Sequence, residues 1–171
     1  AALYGSGSYW PNSLFFAKPI PGHPTSFVSV VSGHHGIQRE GELYLFDARV
    51  GDREADGAAH QFPFSDKRVE PVIMDRLVDN SWPKFAYPCP LNDKYILVSA
   101  RLTPEDQFCV YLVDTFDNMV LVKEAPGYAL LEPIPLKKTR RPPAIPENVD
   151  LARKDAVVLP ALSSTPGRCQ R

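Results

Sequence analysis

Residues 85–90 read FAYPCP, and two other segments of the chain share its pair of prolines separated by one residue. The first of these is FAKPIP at 16–21, and the other is LLEPIP at 130–135. A Trp-Pro pair precedes the first two segments, as Trp10-Pro11 and Trp82-Pro83. A phrase that recurs together with its flanking residues indicates a structural repeat, and a repeat determines the architecture of the whole fold.

The strand-forming runs that follow these segments recur as well. FVSVVS (27–32) matches YILVS (95–99), and LYLFD (43–47) matches VYLVD (110–114). Matched positions lie 69, 68 and 67 residues apart (16 to 85, 27 to 95, 47 to 114), and the third segment begins 45 residues after the second (85 to 130). A period near 45 residues is typical of one four-stranded propeller blade.

The repeat therefore predicts an all-β fold, a partial β-propeller of two four-stranded antiparallel blades plus part of a third, with long loop insertions. No helix longer than about three turns is expected. The predicted strands are 13–18, 26–32, 42–47, 59–62, 84–88, 95–100, 108–114 and 118–124. The two units should superpose with Phe16 on Phe85, Phe27 on Tyr95 and Asp47 on Asp114.

The domain boundaries follow from the same repeat. Propeller blades occupy 1–135, with unit one at about 10–80, unit two at about 81–126 and the start of unit three at 127–136. Residues 137–157 form a basic, proline-rich connector, and 158–171 are an atypical, disordered or truncated tail. Because Ala1 is not an initiator Met, we interpret the chain as part of a longer protein. An exposed apolar patch is expected beside the first or the third unit.

Composition excludes several functional classes. The formal net charge of −1 provides no basic field for nucleic acid. No apolar run approaches the roughly 20 residues that a membrane-spanning helix needs, so no membrane partner is expected. The chain has no CxxCH or G-x-S-x-G motif, which leaves c-type haem attachment and serine hydrolase chemistry without support.

Several phrases resemble the middle, β-propeller domain of the hydrazine synthase alpha subunit and of bacterial proteins built like it. They include SYWPNSLFFAKPIPGHP (8–24), VSGHHGIQREGELYLFD (31–47) and EPIPLKKTRRPP (132–143). The resemblance implies a propeller within a large, periplasmic or secreted multidomain protein. It implies neighbouring domains of the parent chain as partners, other subunits as a further kind of partner, and c-type haem elsewhere in the parent, with no cofactor in this segment.

His34 and His35 are the candidate cofactor-binding residues, because they sit in a Gly-bracketed loop between two predicted strands. His23 could approach them across the blade. The alternative is that one histidine holds the loop by hydrogen bonds and the other faces water. No catalytic residue and no metal ligand set is identified. Trp10 and Trp82 are predicted to pack between blades, and Asp47 and Asp114 to hydrogen-bond in turns.

Two functional hypotheses remain open. In the first, the chain is a structural and interaction segment of a larger protein, without a complete active site and not an enzyme by itself. In the second, it is part of a haem-dependent redox enzyme resembling hydrazine synthase, with the His34-His35 loop near the cofactor.

Overall fold

The computed structural model describes residues 12–35, 38–51, 56–63 and 74–138, together with 141, 144 and 152. The chain divides into two compact units, residues 1–136 and 137–171, and the strands lie in the first. Trp10, the tail predicted at 158–171 and most of the predicted connector lie outside the described residues.

The first sheet has four strands, each antiparallel to its neighbour. They are β1 (Leu14–Pro19), β2 (Ser26–Val31), β3 (Glu42–Asp47) and β4 (Ala58–Phe62). Their order in the sheet is their order in the chain. Val, Leu and Phe dominate β2 and β3, which are the central strands, because these residue types fill the two faces of a buried pleated sheet.

The second sheet repeats this plan. It contains β5 (Lys84–Pro90), β6 (Tyr95–Arg101), β7 (Cys109–Asp114) and β8 (Met119–Lys123), again in sequential antiparallel order. Asn92 sets the turn between β5 and β6, where its side-chain oxygen accepts the backbone N–H groups of Lys94 and Tyr95 at 2.8 and 2.9 Å. Asp117, in the turn before β8, adopts a left-handed φ of 65°.

The all-β prediction is confirmed: every predicted strand is present within two residues of its expected bounds, and the described residues contain no helix. The segments predicted at 26–32 and 42–47 pair with each other in one sheet, with Val30 opposite Leu43. The three longest connections between the described strands are 32–41, 48–57 and 63–83, and they fall where loop insertions were predicted, at 33–41 and 48–81.

The main hydrophobic core lies between the two sheets. It combines Val28, Val30, Leu43 and Phe62 of the first sheet with Phe85, Ile96, Val98, Ala100 and Val113 of the second. A second buried cluster, on the other face of the first sheet, contains Val31, Tyr44, Phe46 and Ala58. Because successive strand residues point to opposite faces, both faces of the first sheet are apolar and covered.

Strand pairing corrects the predicted superposition of Phe27. The aspartates that end β3 and β7 match as predicted, and each pairs with the first residue of the preceding strand. Those first residues are Ser26 and Tyr95, so Phe27 corresponds to Ile96 and not to Tyr95. The one-residue error arose because the turns that precede β2 and β6 differ in length.

The superposition of Phe16 on Phe85 is also wrong. The pairing of β1 with β2 is interrupted after Phe15, and that of β5 with β6 after Ala86. Phe16 therefore corresponds to Tyr87. The error is two residues. A bulge adds residues that no partner strand matches, so aligning the prolines by eye misplaced the segment.

A backbone bridge joins the two sheets. Gly41, just before β3, donates its N–H to the carbonyl of Phe85 at 3.1 Å and accepts the N–H of Phe85 at 2.8 Å. At the same place in the second sheet, Leu130 donates its N–H to the carbonyl of Phe108 at 2.7 Å. Phe108 lies 67 residues after Gly41, and Leu130 lies 45 residues after Phe85, which are the spacings of the repeat.

Candidate functional site

The predicted cofactor-binding histidines lie directly after β2, in a loop tied to the segment at 74–75. The backbone N–H of His34 donates to the carbonyl of Met74 at 3.0 Å. The backbone N–H of His35 and its ring Nδ1 both lie 3.0 Å from Oδ1 of Asp75. The two imidazoles meet edge to face, with ring centroids 3.8 Å apart.

This loop is on the surface. The side chains of His35 and Asp75 are 66% and 59% exposed. The hydrogen bond from His35 holds the pKa of Asp75 below its ordinary value, since it favours the ionised carboxylate. The described residues contain no group of three or more metal-ligating side chains. A cofactor-binding role for His34 and His35 therefore stays a prediction.

His23 does not join these histidines. It lies in the turn before β2, whereas His34 and His35 follow the end of β2, so the whole length of the strand separates them. Its ring Nε2 is 4.0 Å from Oδ2 of Asp93, in the corresponding turn of the second sheet. The suggestion that His23 approaches the loop across the blade was wrong.

The strongest polar contact beside the loop joins the two sheets. Arg101 donates two hydrogen bonds to Glu40, which lies just before β3. Nε donates to Oε2 at 3.0 Å, and Nη2 donates to Oε1 at 2.5 Å. The side chains of Glu40 and Arg101 are only 12% and 21% exposed. The guanidinium also lies over Trp82 at 5.2 Å and over Phe108 at 5.5 Å from the ring centroids. A two-pronged pair between planar groups fixes distance and orientation together.

Lys84 is buried beneath this pair at the start of β5. Its ammonium donates to the carbonyl of Val78 and lies 5.4 Å from the centroid of Trp82. Burial lowers the pKa of Lys84, while the negative charges of Glu40, Asp79 and Glu42 oppose that shift. Trp82 thus contacts two cations of the second sheet beside the Glu40–Arg101 pair. Its packing between blades stays a prediction.

Glu42, at the start of β3, is a buried acidic residue near this pair. Its Oε2 accepts the hydroxyl of Tyr44 at 3.2 Å and the amide of Gln61 at 2.6 Å. Burial raises the pKa of Glu42, whereas hydrogen bonds from Ser81, Tyr44 and Gln61 and the charge of Lys84 act against that rise. Glu42 is only 6% exposed, and its burial is tolerated because these donors satisfy the oxygens of its carboxyl group.

The His35 loop and the Glu40–Arg101 junction line an open cleft of about 570 Å³. Among its lining residues are His35, Glu40, Asp75, Trp82, Lys84 and Arg101. The charged groups in its depth bind one another across the two sheets, so they hold the sheets together. The rim is open to solvent, because the side chains of His35 and Asp75 are 66% and 59% exposed and those of Arg76 and Asp79 are 86% and 49% exposed. This rim can exchange hydrogen bonds with a polar partner.

Sequence reasoning selected His34 and His35 but missed Glu40, Lys84 and Arg101. One signal was present, because Lys84 and Arg101 are charges at the ends of otherwise apolar strands. Such charges are buried only when they are paired. The partner of Arg101 is 61 residues away in the chain, so only the packing of the sheets reveals the pair.

Both turn aspartates act as predicted. Oδ1 of Asp47 accepts the hydroxyl of Thr25 and the backbone N–H of Arg49, each at 3.0 Å. Oδ1 of Asp114 accepts the backbone N–H groups of Phe116 and Asn118 at 2.9 and 3.0 Å. The third strand of each sheet thus ends in an aspartate whose side chain accepts hydrogen bonds from the turn that follows.

Comparison with known proteins yields no family: no protein-family model, no curated protein and no solved structure matches the chain. Among the described residues, no helix is long and apolar enough to cross a membrane.

Proposed function

We propose that this chain forms successive blades of a β-propeller in a larger, multidomain protein, where it serves as a structural and interaction module. One observation carries the proposal. The bridge between Gly41 and Phe85 is matched by the hydrogen bond from Leu130 to Phe108, so the third unit begins on the second sheet as the second began on the first.

The orientation of the sheets supports the same proposal. Tyr44 and Phe46 lie on the face of the first sheet that points away from the second. Their counterparts in the second sheet, Tyr111 and Val113, point toward the first. Each sheet therefore presents the same face to the unit before it. A packing step repeated in one direction is what a propeller requires, whereas the two halves of a sandwich would pack with like faces inward.

In this proposal a third blade covers the far face of the second sheet, which is the face that points away from the first sheet. Leu112 on that face is half-buried, and Val120 beside it is 58% exposed. Leu131 and Ile134 of the third segment are 48% and 76% exposed. An apolar patch was predicted beside the first or the third unit, and these exposed side chains support it beside the third. Its natural occupant is a further four-stranded sheet that begins with residues 130–135.

The periplasmic or secreted location, the neighbouring domains as partners and the kinship with the hydrazine synthase alpha subunit belong to this proposal. They rest on the sequence phrases alone. In this proposal the loops, held on a rigid scaffold of strands, contact and position the neighbouring domains.

The structure of the parent protein, determined by electron cryomicroscopy, tests the proposal. The expected result is a radial set of blades around one axis, with β1 and β5 innermost and residues 130–135 starting the next blade. A parent in which the face of Leu112 and Val120 meets solvent, or in which the two sheets close on each other alone, would overturn it.

A further inference from the structure

Three bulky residues of this chain adopt a backbone conformation that side chains normally avoid. Phe16, Tyr87 and Glu132 have φ angles of 56°, 51° and 55°. A left-handed φ costs a residue with a Cβ roughly 1 kcal/mol or more, and it is uncommon for aromatic residues. Tyr87 and Glu132 directly precede the two prolines of their repeat segments. Phe16 precedes Ala17-Lys18-Pro19, which strand pairing aligns with Pro88-Cys89-Pro90.

The three residues occupy one position of the repeat. Phe16 and Tyr87 both lie in the bulge that interrupts pairing with the next strand. Glu132 follows Tyr87 by 45 residues, which is the spacing of the second and third segments. If the bulge needed only a left-handed residue, glycine would provide it without strain. The presence of Phe, Tyr and Glu indicates that the side chains themselves are used, and bulges commonly re-aim a side chain at a functional site.

These side chains converge on one cavity. The rings of Phe16 and Tyr87 approach to 4.0 Å between centroids. Both residues and Glu132 line an open pocket of about 620 Å³, which is separate from the cleft that contains His35. A pocket of this size suits a small molecule, and it lies within the first compact unit.

Charge defines the ligand further. Lys18 and Arg39 also line the pocket, and the described part of the chain provides neither of them with an ion pair. Two cations against the single carboxylate of Glu132 favour an anion. The aromatic pair offers a flat apolar surface for a ring, and Glu132 offers an acceptor for an N–H or O–H group.

We propose that this pocket, lined by Phe16, Tyr87, Glu132, Lys18 and Arg39, binds a small aromatic carboxylate that carries a ring donor. The ligand ring packs against the Phe16–Tyr87 pair, its carboxylate meets Lys18 and Arg39, and its N–H or O–H donates to Glu132. The site is formed by the described residues themselves, so it does not depend on closure of a propeller ring.

Titration of the full chain with indole-3-acetate, followed by calorimetry and by NMR shifts, tests this site. Saturable binding with a dissociation constant below about 1 mM is expected. Tryptophol, which lacks the carboxylate, should bind about tenfold more weakly because a charge-assisted contact is lost. Cyclohexylacetate lacks both the aromatic ring and its N–H, so it should bind at least about tenfold more weakly through the loss of the stacking contact and of the hydrogen bond to Glu132.

Variants locate the binding. Tyr87→Gly removes the ring at a position whose backbone suits glycine, so the fold should persist while binding falls at least tenfold. The double variant Lys18→Ala/Arg39→Ala changes only exposed side chains and should also weaken indole-3-acetate binding about tenfold. Lys123→Ala removes an exposed cation outside the pocket and should change nothing.

Three results would each overturn the proposal. They are an absence of saturable binding by the wild-type chain, equal binding of tryptophol and indole-3-acetate, and unchanged binding by the folded Lys18→Ala/Arg39→Ala variant. If Tyr87→Gly proved unfolded by circular dichroism, the double variant would decide the outcome alone, because its fold does not rest on either side chain.

Discussion

Asp47 and Glu42 are the two ends of β3, and their surroundings shift their pKa values in opposite directions. Hydrogen bonds from Arg49 and Thr25 hold the pKa of Asp47 well below its ordinary 3.8. Burial raises the pKa of Glu42 above its ordinary 4.5. One strand therefore carries a carboxylate that stabilises the fold when ionised and another whose ionisation costs stability.

These shifts predict opposite contributions to acid stability. Asp47 adds stability above pH 3.8, and this stability is lost as pH falls toward its lowered pKa, because the unfolded state takes up the proton first. Glu42 has the reverse sign: stability falls as pH rises from 4.5 toward its raised pKa, because the unfolded state loses the proton first. Asp47→Asn should therefore reduce the rise of the unfolding free energy with pH, and Glu42→Gln should make that rise steeper.

Urea denaturation of the wild-type chain and of both variants between pH 3 and pH 7 measures these slopes. Asp114→Asn is the matched comparison for Asp47→Asn, because Asn118 and Phe116 likewise lower the pKa of Asp114. It should flatten the profile in the same sense. Parallel profiles for Asp47→Asn and Glu42→Gln would show that the two environments do not differ as the contacts indicate.

The Glu40–Arg101 pair should be worth far more than an ordinary surface ion pair. It is two-pronged, mostly buried and capped by Trp82. A double-mutant cycle with Glu40→Gln and Arg101→Met should give a coupling of about 1–3 kcal/mol in urea denaturation. The same cycle on the exposed Arg76–Asp79 pair should give about 0.5 kcal/mol or less. Equal couplings would contradict a clamping role for Glu40 and Arg101.

At this scale the sequence predicted less of the site than of the fold. Asp47 and Asp114 could be assigned to turns because each precedes its own turn and accepts a backbone N–H two residues further along the chain. The junction of Glu40 and Arg101 could not be predicted, since it depends on how two sheets stack. His34 and His35 were chosen for their chemistry, and only the structure ties His35 to Asp75.

At the scale of the element, Gly41 links the pairing of β3 to the packing of β5. A Cβ at this position would lie 1.9 Å from the carbonyl oxygen of Val31, so no other residue fits without moving the backbone. The same close approach lets Gly41 exchange two hydrogen bonds with Phe85. One glycine thus serves both the register of the first sheet and its contact with the second.

Gly41→Ala should destabilise the chain by about 3 kcal/mol, the upper part of the usual range for overpacking. Gly22→Ala is the control: its added Cβ meets nothing within 4 Å, and only its φ of 81° is strained, which should cost about 1 kcal/mol. Urea denaturation of both variants measures the difference. A Gly41→Ala variant no less stable than Gly22→Ala would show that the sheets can separate at the bridge without penalty.

The elements themselves were predictable, because short apolar runs bounded by Gly, Pro, Asn and Asp have few alternatives to strands. The residue-by-residue match of the two units was not. Phe16 corresponds to Tyr87 through a bulge, and a bulge leaves no mark in the alternation of residue types. The left-handed φ angles could not be foreseen either, since Phe and Tyr are among the residues least expected to adopt them.

At the scale of the whole molecule, the unequal covering of the two sheets governs behaviour in solution. Both faces of the first sheet are covered by buried clusters. The second sheet is covered on one face, and β8 exposes Val120, Leu121 and Val122 at 58%, 45% and 54%. A strand with free edge hydrogen-bonding groups and exposed apolar side chains favours pairing with another chain.

We therefore expect the chain to self-associate through the far face of the second sheet. At about 25 cal/mol per Å², even a few hundred Å² of apolar face covered by a second copy contributes several kcal/mol. Sedimentation velocity should show concentration-dependent dimers or larger species, and Val120→Lys should shift them toward monomer by placing a charge on that face. Val50→Lys changes an equally exposed residue in a turn of the first sheet, at 67% exposure, and should leave association unchanged. A wild-type chain that stays monomeric at every concentration would mean that this face is not the surface a further blade would cover.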